Sequence, residues 1–275
     1  MKQANTAAGN RRSRVIVLIL IGVAMFLVAL VIRLPAVHGW SLIGEGLDTQ
    51  AYGMTGTAWN GEAATVVNGP HRVTALRWKL RPAGLLKARL DYDLRGSIAD
   101  GRVEGIVGTR LVGGGTRLRN IRFNLDVNAL ARRFGNQPLP ITLGGRVDGF
   151  LEEVVIGANG RLQRISGLVN WIDGSIGFGE TINLGTYALR LDNADEQITG
   201  QVVDTEAVVR LEGDLRLDPA TGELVGDVLL QALEGASNSL TQGLQLIGIR
   251  NPDAENRINF RGDINNPLSF RGSIQ

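Results

Sequence analysis

Cysteine is absent from the 275 residues. This excludes disulfide scaffolds, thiolate-ligated zinc, iron–sulfur clusters and thiol nucleophiles. Histidine occurs only at His38 and His71, too few imidazoles for a histidine-rich metal site. Lysine occurs only at Lys2, Lys79 and Lys87, never after a glycine, so the phosphate-cradling Gly-Lys-Ser/Thr loop is missing. The nucleophile elbow G-x-S-x-G is missing too, because Asp173 stands where Ser175 would need its first glycine. Gly174, Gly177 and Gly179 have the wrong order for a dinucleotide fingerprint. The carboxylate clusters Glu152-Glu153, Asp192 with Asp195 and Glu196, and Asp204 with Glu206 lack calcium-loop spacing and read as solvated turns. No cofactor or metal is expected, and the chain reads as a non-enzyme. One enzymatic alternative stays open, a glycan-cleaving carboxylate pair drawn from two strands, which sequence spacing does not test.

What is present begins at the N-terminus. Residues 15–32, VIVLILIGVAMFLVALVI, carry no charge. At about 1.5 Å per residue a helix of this length covers roughly 27 Å, near the ~30 Å hydrocarbon core of a bilayer. Leu34 extends the run past Arg33, which can snorkel to the interface. Arg11, Arg12 and Arg14 precede it closely, so the positive-inside rule places residues 1–14 in the cytoplasm. The expected organisation is a cytoplasmic tail 1–14, a transmembrane anchor 15–34 starting at Val15 and reaching past Ile32, and a periplasmic domain 35–275. Trp40 fits an interfacial anchor just beyond the run. A cleaved signal peptide is the competing reading, disfavoured by the length of the run and the weak cleavage site after it.

The formal net charge of +2 hides a split. Residues 1–33 carry five bases and no acid; residues 34–71 carry three acids and no base. Residues 72–146 carry 15 Lys/Arg against 5 Asp/Glu, and residues 147–275 carry 9 against 19. One half is therefore +10 and the other −10. Two copies could pack head to tail through this split, or the halves could face each other within one monomer.

Glycine is abundant, with 37 residues, and reads as punctuation of many short strands by tight turns. Expected strands cover Leu85–Ile98, Arg102–Arg110, Thr116–Asp126 with a bulge near Asn120, Ala207–Leu217, Glu223–Leu230, Arg257–Asp263 and Leu268–Ile274. Turns are expected at Asp100-Gly101, Gly113–Gly115, Asp218–Gly222 and Asn265–Pro267. Helices are expected at Asn128–Phe134 and about Ser237–Ile249. The fold class is mainly β: an elongated, curved antiparallel sheet or sandwich with few short helices, behind one transmembrane helix. Two halves are expected to meet near 136–147, after Pro138 and Pro140.

Trp59, Trp78 and Trp171 lie in or beside expected strands, where core packing competes with a partner hot spot. Arg117, Arg119 and Arg122, with Arg132 and Arg133, form a basic group in the part expected to lie outside the cytoplasm. Nucleic acid is excluded there; a solvated sheet face, an acidic partner or anionic lipid headgroups remain. These tryptophans and the first three arginines are the candidate partner surface.

The order of several motifs adds a resemblance. Gly56-Thr57-Ala58-Trp59-Asn60-Gly61 is followed by Leu76-Arg77-Trp78-Lys79-Leu80-Arg81-Pro82 with Leu85-Leu86. Then come Gly167–Trp171, Asn183–Tyr187, Leu211–Leu215 and Leu246-Ile247-Gly248 before Gly262-Asp263-Ile264. Together with the single N-terminal anchor, this layout resembles the type II secretion system protein N family of Gram-negative bacteria, over about residues 35–270. The resemblance implies an accessory subunit of the inner-membrane platform of a machine that moves folded proteins from the periplasm across the outer membrane. It implies other secretion components as partners, and no catalytic residues. The family is also distantly similar to AsmA-like proteins, whose sheets curve into apolar grooves linked with lipid handling. A lipid-binding or lipid-shuttling groove is therefore the alternative function, with lipid as the alternative partner.

Overall fold

The structure is a computed structural model that describes residues 22, 25, 30–44, 49–69, 71–110, 113–134, 142–177, 181–234, 236–246 and 249–274. Arg11, Arg12, Arg14 and Val15, and most of the apolar run, lie outside these residues. Among the described residues no helix is long and apolar enough to cross a membrane, so the anchor rests on the sequence.

Among the described residues fourteen strands form one sheet in strict chain order, every neighbouring pair antiparallel. They are β1 (Thr49–Gly56), β2 (Asn60–Asn68), β3 (His71–Arg81), β4 (Arg89–Ile98), β5 (Gly101–Arg110), β6 (Thr116–Asp126), β7 (Thr142–Ile156), β8 (Leu162–Gly177), β9 (Thr181–Ala194), β10 (Gln197–Ala207), β11 (Val209–Leu217), β12 (Glu223–Ala232), β13 (Asn256–Asp263) and β14 (Asn266–Ile274). Three short helices, α1 (Ala36–Gly44), α2 (Val127–Phe134) and α3 (Asn238–Leu246), and one 3₁₀ turn (Pro82–Lys87) complete the described elements. In such a meander alternate turns fall at the same end of the sheet. The turns β1–β2, β3–β4, β5–β6 and β7–β8 share one end, here the near end; α2 and α3 follow strands that finish at the far end.

Register explains the composition. One cross-strand row runs Ile121, Leu151, Gly167, Leu191, Gly200, Leu215, Gly226, Phe260, Gly272. The next runs Val103, Phe123, Gly149, Val169, Leu189, Val202, Gly213, Val228, Ile258. These rows make one apolar face, the inner face. Many of the glycines therefore sit inside strands rather than in turns, a correction to the sequence expectation. They leave room for a large neighbour to lie flat: a Cβ on Gly149 would come within 2.5 Å of the Phe123 ring, and one on Gly226 within 2.3 Å of Phe260. Along these rows most large side chains, Phe123, Leu151, Val169, Leu189, Val202, Leu215 and Phe260 among them, are only half-buried. A second sheet packed on them would bury them fully. The inner face is the open side of a single sheet, which decides between the groove and the sandwich.

The outer face carries the charge. Its row runs Arg77, Arg95, Glu104, Arg122, Phe150, Leu168, Arg190, Gln201, Asp214, Asp227, Asn259. The basic and acidic halves thus follow one another along a continuous sheet. Local chemistry sets the ends of elements. Asp126 Oδ1 accepts the Ala129 N–H at 2.7 Å and starts α2; Ser237 Oγ accepts the Leu240 N–H at 3.2 Å and starts α3. Asn120 sits at φ 50°, unpaired, at the register shift between Glu104 and Ile106, where the bulge was expected. In the β11–β12 turn Asp218 accepts from the Ala220 N–H at 2.8 Å and the Thr221 hydroxyl at 2.9 Å, which lowers its pKa.

One expected strand is shortened. Residues 82–87 form a 3₁₀ turn, not the start of β4, because Pro82 begins a turn and Ala88 takes the left-handed conformation at φ 50°.

The best-packed core lies at the far end. There α3 covers the inner face of β9, β11 and β12, joining Leu240, Leu244 and Ile249 to Ile182, Val209, Leu230 and Ala232. Leu240 is 1% exposed and Ile249 0%.

Candidate functional site: an apolar trough at the near end

At the near end the inner face is not filled. The chain leaves the apolar segment at Leu34, bridges Pro35 to Thr57, and starts α1 against the β1–β2 turn. Gly39 permits the approach: a Cβ there would lie 2.7 Å from Ala58 Cβ. Ala58 N–H donates to Leu34 O at 2.9 Å, and Trp59 Nε1–H to Val31 O at 2.7 Å. Three tryptophans gather here. Trp40 Nε1–H donates to Thr49 O at 3.4 Å and Trp78 Nε1–H to Thr57 O at 3.1 Å. Each indole N–H has a carbonyl, so each ring can stand in an apolar site.

These rings, with Leu34, Leu90, Tyr92, Leu94 and Val107, line a trough of about 400 Å³. It runs into a second cavity of about 200 Å³ between Val73, Ile98, Val103, Leu118 and Ile121. Leu76, Leu94 and Val107 line both. Burial raises the pKa of the Tyr92 phenol, the one ionisable group among the described residues that line the first cavity. The surface has the wall chemistry of an apolar binding site and no pair of reactive groups. Among the described residues no group of three or more His, Asp or Glu is placed to hold a metal ion.

The structure divides the expected partner surface. Trp59 and Trp78 meet in the trough. Trp171 lies farther along the inner face, where its Nε1–H donates to Gly144 O at 2.9 Å and its ring stands 5.9 Å from that of Tyr187. Tyr187 is buried with its hydroxyl between Leu184 O at 3.2 Å and Val209 O at 3.0 Å, and desolvation, then the Asp204 charge, push it up to about 12. The arginines are on the outer face. Arg117 pairs with Glu153 at 3.4 Å. Arg122 reaches Glu104 at 3.6 Å and lies 5.3 Å over the Phe150 ring. Arg119 contacts Asp91 at 2.9 Å, and Arg89 contacts the same carboxylate at 2.7 Å. Sequence reasoning missed Asp91 as a buried group, and missed Leu76, Leu90, Tyr92 and Leu94 as trough wall. Their period-2 alternation through β3 and β4 was the available signal.

A family model for type II secretion system protein N matches residues 49–261. The chain belongs to the type II secretion system protein N family. It is 26% identical over 264 residues to "Type II secretion system protein N" of Aeromonas hydrophila, covering 91% of this chain and 97% of that protein. No solved structure matches the chain. The family assignment covers the whole trough wall in β3–β5 and the core under α3, and agrees with the resemblance read from Trp59, Trp78 and the later glycine motifs.

Proposed function

We propose that this protein is a non-enzymatic accessory subunit of the inner-membrane platform of a type II secretion system. It is held by an anchor at residues 15–34, with its sheet in the periplasm, and works through protein–protein contacts there. The observation that supports the reading is the trough: a member of a secretion-system family leaves a half-buried, aromatic apolar wall uncovered beside the apolar segment that ends at Leu34. Its occupant in this reading is an apolar segment of another secretion subunit, because an uncovered apolar patch built around Trp and Tyr is the usual anchor of a protein interface. Membranes from the host, treated with a photo-crosslinker placed at residue 94, are expected to yield an adduct with a secretion component. Adducts with lipid alone, together with normal exoprotein export after deletion, would remove the proposal.

A second reading is favoured by the same cavities: an AsmA-like groove that binds or shuttles lipid. The two cavities join along the inner face, and their walls are almost wholly apolar. Native mass spectrometry of the protein released from gentle detergent decides it. Co-purified phospholipid that is lost in Leu94→Glu supports the groove; its absence at every detergent level rejects it.

A further inference from the structure

The outer face at the near end carries a different chemistry. Arg89 and Arg110 stand directly opposite each other in the β4–β5 register, where like charges repel. One step inward, Arg117 and Arg164 flank Val155 across β6, β7 and β8. All four arginines line one polar hollow of about 450 Å³, walled on its outer side by the Gly113–Gly115 loop. Compensation is incomplete. Arg89 is met by Asp91 and Arg117 by Glu153, while Arg110 and Arg164 have no carboxylate partner among the described residues. Asp91 is itself shared with Arg119, and its side chain is only 6% exposed. The Arg89 Nε–H is buried with no acceptor among the described residues. The hollow asks for an anion with several oxygens.

Beside it the 3₁₀ turn presents two leucines to water. Leu86 is 91% exposed and Leu85 46%. The turn is held on the outer face by Gly84, whose missing Cβ would lie 3.1 Å from the Asp91 carboxylate carbon. Lys87 closes it. Exposed leucines next to uncompensated guanidinium groups are the composition of a surface that meets a bilayer at its headgroups. The position agrees. This turn shares the near end with the β1–β2 turn, which is hydrogen-bonded to Val31 and Leu34 of the apolar segment.

We infer that the near end of the sheet makes a second membrane contact, in which Leu85 and Leu86 enter the bilayer interface and Arg89, Arg110, Arg117 and Arg164 hold the phosphate of an anionic phospholipid. The contact rests on the reading of residues 15–34 as an anchor. It sets the strands upright on the membrane, with the trough mouth at the bilayer surface and the far end with α3 away from it.

The natural absence of cysteine gives a clean test. The full chain carrying Leu86→Cys, or Arg102→Cys at the far end of β5, is labelled with a fluorophore. It is then reconstituted into nanodiscs with brominated acyl chains, with or without phosphatidylglycerol. The expected result is several-fold stronger quenching at 86 than at 102 when phosphatidylglycerol is present. That excess falls toward the neutral-lipid value at high salt and in Arg110→Gln/Arg164→Gln, whose exposed positions leave the fold intact. Equal quenching at 86 and 102 in chains that do enter the discs overturns the second contact and leaves the anchor standing. Quenching at 86 that ignores both lipid charge and the arginine variant overturns the headgroup role. If inorganic phosphate added to the discs binds the chain while position 86 stays in water, the hollow serves a soluble phosphate and the membrane contact is overturned. A chain that fails to enter the discs at all removes the anchor and this contact together.

Discussion

The two ends of the inner face are built from the same strands but treated differently. At the far end of β8–β12 the chain supplies its own cover, α3; Leu240 and Ile249 are fully buried and Leu244 is buried. At the near end of β3–β5 comparable apolar side chains, Leu76, Trp78, Leu94 and Val107, are left half-buried around a trough. Residues that the chain covers are there to hold the fold. Residues of equal hydrophobicity that it leaves open, beside the apolar segment that ends at Leu34, cost solubility unless something else covers them. Under the proposed role, the difference separates stability from interaction within one sheet.

Substitutions at the two ends should therefore diverge. The largest loss is expected at the covered end: Leu240→Ala should remove about 2–5 kcal/mol, transfer plus cavity, in urea unfolding followed by tryptophan fluorescence. Leu94→Ala in the trough should cost about 1 kcal/mol or less in the same experiment, since its side chain gains less by folding. Equal losses would mean that the trough is core. Next in size is Asp91→Ala on the outer face. Removing the one carboxylate shared by Arg89 and Arg119 should cost about 2–4 kcal/mol by the same unfolding curve, less than for a fully dry pair because both arginines reach water.

Tyr187 gives a smaller effect with a definite sign. Its folded pKa is raised to about 12 from 10.0, so folding favours the neutral phenol. Its contribution is complete below pH 10 and is lost as pH rises from 10 toward 12. The wild type should lose unfolding free energy through that window, and Tyr187→Phe should lose less while starting about 1 kcal/mol lower for want of the hydrogen bonds. A Tyr187→Phe profile parallel to the wild type would refute the buried-phenol account. The smallest effect belongs to the exposed Glu223–Arg261 pair: Arg261→Ala should leave the melting temperature unchanged within error.

Much of this architecture was legible in the residues. Thr116–Asp126, the Asn120 bulge, the Asp218–Gly222 turn and the helix after Asp126 were readable because each is decided by neighbours in sequence: alternation, a left-handed residue, a side-chain cap. The open single sheet was not, since the sequence left groove and sandwich open, and only the register shows the glycine rows that let Phe123 and Phe260 lie flat. Trp59 and Trp78 could be named as candidates, but not their convergence with Trp40, which depends on a turn folding back to the segment that precedes it by some thirty residues in the chain. Residues 82–87 were misread because Leu85 and Leu86 look like strand residues, and the turn that exposes them is set by Pro82 and by Asp91 beneath Gly84.

In the proposed role, this family member serves secretion through the uncovered inner face at its near end. The direct measurement is exoprotein export in a host deletion strain, complemented with wild type, Leu94→Glu in the trough, or Arg95→Gln next to it on the outer face, each at equal amounts of folded protein. Export restored by wild type and Arg95→Gln but not by Leu94→Glu is the predicted result. Full export with Leu94→Glu would contradict it.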